Sequence, residues 1–231
     1  MTPQARPLDV GGGFYTVQEA ARLLGIDRPQ RVARWLTPPA SGATPVVLRD
    51  FPKIGPRQEL SFLDLVEVRF VEHFRQQKIS LQALRKAAAN ARKALDVSHP
   101  FATSGIKFQT DRKRVFLETA KEAGDAHLLD LMTNQLVIYE MIERVLEKSL
   151  EFDVSGFARQ WRPAPESSPN VIVSPVFAFG RPVISRRRVP TGTLFQAWRA
   201  EGGDIDAVAD WHDVEPKEVS EAVEFELRPL H

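Results

Sequence analysis

Apolar residues recur at helical spacing in two short runs near the start of the chain. Val17, Ala20, Ala21 and Leu24 form the first run, and Val32, Trp35 and Leu36 the second. Thr16, with Glu19 three residues on, predicts a capping box for the first helix. Gly25 follows where a left-handed C-terminal residue is usual. Ile26 plugs the turn, Asp27 is the expected cap of the second helix, and Pro29 fits its first turn. On that second helix Gln30, Arg31 and Arg34 share the face opposite Val32, Trp35 and Leu36, because positions three and four apart are neighbours.

The next stretch changes character. Five prolines between residues 38 and 56 bar a helix. Val46, Val47 and Leu48 read as a strand with Glu59, Leu60 and Ser61 as its short return. This predicts an antiparallel wing with Arg49, Lys53 and Arg57 near its tip; a charged surface loop is the alternative. Ser61 and Asp64 resemble a second capping box, ahead of a long helix with Phe62, Leu65, Val66, Phe70 and Phe74 inward. Ser80 is the cap of a further helix carrying Leu81, Leu84, Ala87 and Ala88, which runs to about Leu95.

Beyond His99, Ile106–Gln109 and Val115–Glu118 alternate as two strands around Asp111, Arg112 and Lys113. They read as a packing or dimer hairpin, with a basic ribbon for DNA as the alternative. Asp125 opens a long helix whose apolar stripe, from Leu128 to Leu146, suits either a dimer contact or an internal core. Residues 159–170 are rich in Pro and Ser and read as a linker. Val171–Val173 and Pro182–Ile184 follow as extended pieces. Thr191 is the expected cap of a helix holding Leu194, Phe195 and Trp198, which Gly202 and Gly203 stop. Two more helices follow, the first with Val208, Ala209 and Trp211 and the second opened by Pro216, with Val214 plugging the turn between them. His212 and Asp213 read as turn residues. The pattern thus predicts a mainly α fold with small β-hairpins. It divides into a winged helix-turn-helix over 1–96, a hairpin plus long helix over 97–160, and a helix-turn-helix-like module over 161–231.

Charge sharpens this picture. The 231 residues carry a net charge of only +1, yet residues 1–95 hold 15 basic residues against 8 acidic, and residues 201–231 hold 2 against 10. A basic front attracts nucleic acid and an acidic tail is repelled by it. An outward face of Gln and Arg on a second helix suits base edges and phosphates. Candidate DNA contacts are therefore Thr16, Arg28, Gln30, Arg31 and Arg34 on the helix pair, and Arg49, Lys53 and Arg57 on the wing. A solvated basic face on an ordinary helical hairpin is the alternative.

Residues 15–95 resemble the MerR-type winged-helix domain. The resemblance rests on YTVQEAARLLGI, on a second helix ending in Trp35 and Leu36, and on LSFLDLVEVRFVEHFRQQKISLQALRKA. Lys78 stands where that family usually has glycine. Residues 171–226 resemble the family called domain of unknown function 433. Ile172, Pro175, GRPVI at 180–184, RVPT at 188–191 and the paired helices ending EVSEAVEFE carry that likeness. Arg186-Arg187 stand where its members commonly have Gly-Thr. The tandem as a whole resembles VapB-type antitoxins. That resemblance implies a PIN-like ribonuclease toxin as partner, binding to double-stranded DNA at the operon's own promoter, and repression of it. The alternative is a stand-alone MerR-like regulator whose C-terminal half senses a ligand or binds protein. A pure adaptor with no DNA contact is the third possibility.

Four carboxylates against one lysine on the last helix argue that the C-terminal module is a protein platform rather than a second DNA reader. Arg186, Arg187 and Arg188 beside it are candidates for pairing with the carboxylates of a ribonuclease. The alternatives are a solvated loop or a contact with the acidic helices of the same module. A homodimer is expected, since helix-turn-helix proteins commonly read two half-sites.

With no cysteine, thiolate chemistry and disulfides are excluded. None of the five histidines has metal-ligand spacing, Gly11–Gly13 lacks the features of a P-loop, and no nucleophile elbow occurs. The expectation is therefore no enzyme, no metal and no cofactor. No apolar run approaches ~18 residues, so no membrane partner is expected and a cytoplasmic location is the default.

Overall fold

The local signals around residue 16 build the first element pair. Thr16 Oγ1 accepts the Glu19 N–H at 3.2 Å, and the Glu19 carboxylate accepts the Thr16 N–H at 2.8 Å. This reciprocal cap starts helix α1 (Val17–Leu23), directly after strand β1 (Tyr15–Thr16). Gly25 turns the chain at φ +65°, and Ile26 is buried behind it. Helix α2 (Pro29–Trp35) follows. Its N-cap is Arg28 rather than the expected Asp27, with no side-chain cap bond. Pro29 at the first helical position disfavours the helical region for the residue before it, so the extended cap falls on Arg28.

The computed structural model describes residues 13–52, 55, 57–103, 118–122, 124, 126 and 149–228. Among them helices are joined by three two-stranded antiparallel pairings, a mixed architecture rather than a mainly helical one. The expected hairpin at 106–109 and 115–117 and the body of the long helix after Asp125 lie outside the described residues. Glu118, read as the end of a strand, is helical, as are residues 119–122.

The expected wing is replaced by a different pairing. Strand β2 (Glu59–Leu60) pairs with β1, Leu60 opposite Tyr15, and not with Val46–Leu48. Val46 and Val47 are fully buried, and the Val47 N–H donates to Trp35 O at 3.2 Å. Burying two valines against the helix pair is worth roughly 1.5–3 kcal/mol each, which an outward ribbon would forgo.

Helix α3 (Phe62–Gln76) starts on a full capping box of Ser61 and Asp64. Helix α4 (Leu81–Leu95) starts on Ser80, whose hydroxyl accepts the Ala83 N–H. The turn between them keeps the left-handed geometry of a glycine although Lys78 occupies it, at φ +63°. Phe70 stacks on Phe101 with ring centres 4.3 Å apart, in a core that also holds Phe62, Phe74 and Leu84.

Strands β3 (Leu150–Phe152) and β4 (Ala158–Trp161) form a hairpin that joins this same core. Arg69 reaches across to it, with Nη2 donating to Ser149 Oγ at 2.7 Å and the guanidinium 5.3 Å from the Trp161 ring centre. A second core gathers strands β5 (Val171–Ile172) and β6 (Val183–Ile184) under helices α5 (Thr191–Ala200), α6 (Ile205–His212) and α7 (Pro216–Glu226). Pro190, not Thr191, caps α5; Thr191 is buried, and its hydroxyl donates to the Glu226 carboxylate.

The two cores are tied together at the front of the chain. The buried Tyr15 hydroxyl donates to Gly180 O at 2.8 Å, and the Phe14 N–H donates to Phe179 O at 3.2 Å. Gly180 sits at φ +88°, and a Cβ there would lie 2.4 Å from the Tyr15 oxygen. Only glycine permits that approach. Arg22 on α1 pairs with Glu226 on α7 and also donates to its backbone oxygen at 3.2 Å.

Candidate functional site

Helix α2 presents the face that its periodicity requires. Val32, Trp35 and Leu36 are buried, while Arg28, Gln30, Arg31 and Arg34 are exposed. The exposed residues do not behave alike. Arg31 Nη2 lies 2.8 Å from Glu72 Oε2 on α3, and its guanidinium is 5.6 Å from the Trp35 ring centre. It is thus partly anchored to the protein, with 43% of its side chain still accessible. Gln30 and Arg34 instead line a groove of about 480 Å³ with Thr37, Pro38, Pro39 and Arg85 from α4.

Arg85 is a site residue that the sequence did not single out. It lies fifty residues after the helix pair, on a helix read only for its apolar stripe. Burial, and then the nearby charge of Arg34, hold its pKa below the usual arginine value. Its Nε is buried without a hydrogen-bond partner. Two guanidiniums sharing a groove whose lining holds no carboxylate favour an anion.

The remaining candidates divide. The Thr16 hydroxyl is committed to its cap, accepting from Glu19 N and donating to the Glu19 carboxylate at 2.8 Å. Arg49 is half-buried and its Nη1 is enclosed with no hydrogen-bond partner. Arg57 is exposed, just ahead of β2. Lys53 lies outside the described residues. The groove between α2 and α4 brings together two cationic side chains, Arg34 and Arg85.

The arginine cluster of the C-terminal module is engaged within that module. Arg186 Nη2 meets Glu218 Oε2 at 3.3 Å. Arg187 pairs with the Asp213 carboxylate and donates from Nε to Asp213 O at 3.0 Å. The Arg188 guanidinium stacks 4.1 Å from the Phe177 ring centre, with its backbone at φ +61°. The left-handed backbone position of this loop is at Arg188, not at Arg186 or Arg187.

The carboxylates of α7 also serve the fold more than its surface. Glu221 accepts from both Asn170 N (2.9 Å) and Asn170 Nδ2 (3.1 Å). Glu218 accepts from Glu215 N at 2.8 Å, and both glutamates are buried. Glu215, Lys217 and Glu224 remain exposed. The repulsive face expected on this helix is therefore two carboxylates and one lysine, since Glu218 and Glu221 are turned inward to close the module.

Residues 171–225 match the family described as "Protein of unknown function (DUF433)". The fold recurs in the X-ray crystal structure of Rv2018 from Mycobacterium tuberculosis, with a TM-score of 0.70 and 24% sequence identity over 90% of this chain and 96% of that one. Among curated proteins none matches the chain. Among the described residues no helix is long and apolar enough to cross a membrane.

Proposed function

We propose that this chain is the antitoxin of a type II toxin–antitoxin pair: it neutralises a PIN-like ribonuclease toxin and represses its own operon by binding promoter DNA. In this reading α1 and α2 are the helix-turn-helix of a MerR-like domain, and a cytoplasmic homodimer places two such units on two half-sites. One observation carries the DNA contact. Gln30 and Arg34 stand exposed on one face of α2, beside Arg85, in a groove without an opposing carboxylate among its lining residues. Arg34 and Arg85 suit phosphates, and Gln30 suits the edge of a base.

The order of a MerR-like front and a DUF433-like back supports the antitoxin role by its resemblance to VapB-type chains. Arg186 and Arg187 each keep 46% of the side chain exposed while meeting one carboxylate. Their remaining N–H donors suit the carboxylates of a nuclease metal site. No catalytic, cofactor or transport role is assigned.

The test has two arms. Binding to duplex DNA from the upstream region should weaken steeply with salt, and Arg34→Ala with Arg85→Ala should flatten that slope. Co-expression with a neighbouring PIN-like ribonuclease should give a complex whose activity is blocked, and the triple Arg186, Arg187 and Arg188→Ala variant should release it. Duplex binding without any ribonuclease complex would leave the stand-alone regulator; no salt-dependent duplex binding would end the DNA reading.

A further inference from the structure

Helix α4 is charged on one side only. Its 15 residues hold Arg85, Lys86, Arg92 and Lys93 and no carboxylate. Ala83, Leu84, Ala87, Ala88 and Ala91 are buried in the core. Gln82, Lys86, Ala89 and Lys93 are exposed on the opposite side, with Arg85 half-buried at its border.

The four cations divide between fold and surface. Arg92 serves the fold: Nη2 donates to Val46 O at 2.6 Å and Nε to Ser98 O at 3.2 Å, with Glu67 Oε2 3.6 Å away. Among the described residues neither Lys86 nor Lys93 has an ion pair. The helix dipole accounts for Lys93 in the last turn, but not for Arg85 and Lys86 near the other end. Arg85 bears a cost: burial, and then the like charge of Arg34, lower its pKa, and its Nε is enclosed with no hydrogen-bond partner. A cation held against a like charge is stabilised by an anion from outside.

Arg85 shares its groove with Gln30 and Arg34 of α2. The exposed side of α4 therefore continues from the face of α2 assigned above to a duplex. Residues 85 and 89, 86 and 89, and 89 and 93 lie three or four apart, so all four positions share one face. From Arg85 to Lys93 the helix rises about 12 Å, close to the rise of roughly three to four nucleotides in one DNA strand. Ala89, between them, leaves room for a backbone to approach. We propose that Arg85, Lys86 and Lys93 form a ridge that grips the phosphates of one strand of duplex DNA beside α2. The proposal rests on the DNA reading of α2 and adds a surface that supplies affinity without sequence readout.

The residue types favour nucleic acid over other anionic partners. The exposed side of α4 offers Gln82, Lys86, Ala89 and Lys93 and no large apolar side chain. A protein interface needs aromatic or aliphatic anchors at its centre, and a membrane surface needs an apolar face to bury. A row of phosphates needs neither. Lysine ammoniums on flexible stems suit phosphate oxygens without demanding a fixed geometry, whereas Gln30 on α2 suits a base edge. Each phosphate neutralised by the ridge releases counterions and steepens the salt dependence by about 0.9 in log units.

The experiment titrates the full-length chain onto the upstream duplex and onto an unrelated duplex of equal length, between about 50 and 200 mM salt. Lys86→Ala with Lys93→Ala should flatten the slope of log affinity against log salt by about one for each lysine, with the same fold-loss on both duplexes. Lys86→Arg with Lys93→Arg should keep the wild-type slope. Gln30→Ala should instead weaken the upstream duplex alone and leave the slope unchanged. Both lysines are exposed on a helix, where alanine is the strongest former, so the alanine variant should keep its thermal melt. An unchanged slope in that variant, with wild-type duplex binding intact, would overturn the ridge and leave α2 to contact DNA without it. A loss confined to the upstream duplex would overturn it too, since phosphate contacts do not discriminate sequence. No salt-dependent binding of either duplex by the wild-type chain would end this proposal together with the DNA reading beneath it.

Discussion

The molecule contains the same turn twice. In the first copy, α1 ends at Gly25 (φ +65°), Ile26 is buried beneath the turn, and Pro29 opens α2. In the second, α6 ends at Asp213 (φ +52°), Val214 is buried, and Pro216 opens α7. The two turns share this pattern, with one more residue before Pro29 than before Pro216, yet the side chains past each proline are opposed. Gln30, Arg31 and Arg34 stand outward on α2, whereas α7 directs Glu218 and Glu221 inward to Arg186 and Asn170. A helix-turn-helix outline is thus a way to pack two helices; what it contacts is decided by a handful of residues on one face.

The largest effect should come from inverting that contrast. Arg31→Glu with Arg34→Glu should weaken duplex binding by about 30-fold or more, since each contact is worth roughly 1–3 kcal/mol. Lys217→Glu at the corresponding place on α7 should leave it unchanged. Fluorescence anisotropy at fixed ionic strength measures both, and equal losses would erase the distinction between the two pairs.

Buried carboxylates give the next contrast. Burial, opposed by His99 and reinforced by Asp50, raises the Asp64 carboxyl to about 7. Burial alone would lower His99, but hydrogen bonds to Asp50 and Glu67 and the charges of Glu67 and Asp64 outweigh it and raise it to about 10. Both groups bind a proton more tightly when folded. Their contribution is complete below the unfolded values, near 4 for the carboxyl and 6.5 for the imidazole, and is lost as pH climbs through about 7 and about 10. The melting temperature should fall by several degrees between pH 5 and 9, and His99→Gln should shallow that slope. A flat profile would remove these groups from the stability of the front unit.

The smallest effect concerns the turns. A Cβ at Gly25 would meet nothing within 4 Å, so Gly25→Ala bears only its left-handed backbone, about 1 kcal/mol. Asp213→Gly relaxes the same strain but loses the Arg187 pair, and should shift stability by less than about 0.5 kcal/mol. Urea titration of both variants reads the difference.

What could be read beforehand follows from range. Thr16 with Glu19 and Ser61 with Asp64 cap their helices because each pair acts within four residues. Val46 and Val47 looked like a strand for the same local reason, yet their burial against Trp35 is a tertiary event that alternation does not encode. The partner of Glu59–Leu60 lies more than forty residues upstream, at Tyr15–Thr16. Arg85 was invisible as a site residue because Arg34, its neighbour in space, is tens of residues away. Arg186 and Arg187 were legible as a cluster, but their carboxylates, Glu218 and Asp213, became assignable only in the folded module.

Tyr15 carries a consequence for how such a chain can evolve or be cut. The ring that begins the first strand also rests on the one carbonyl that Gly180 can bring close enough. Separate expression of the front half would expose the apolar ring and leave its hydroxyl to water in place of the Gly180 carbonyl. Transplanting either half onto another scaffold would therefore require that seam to be rebuilt.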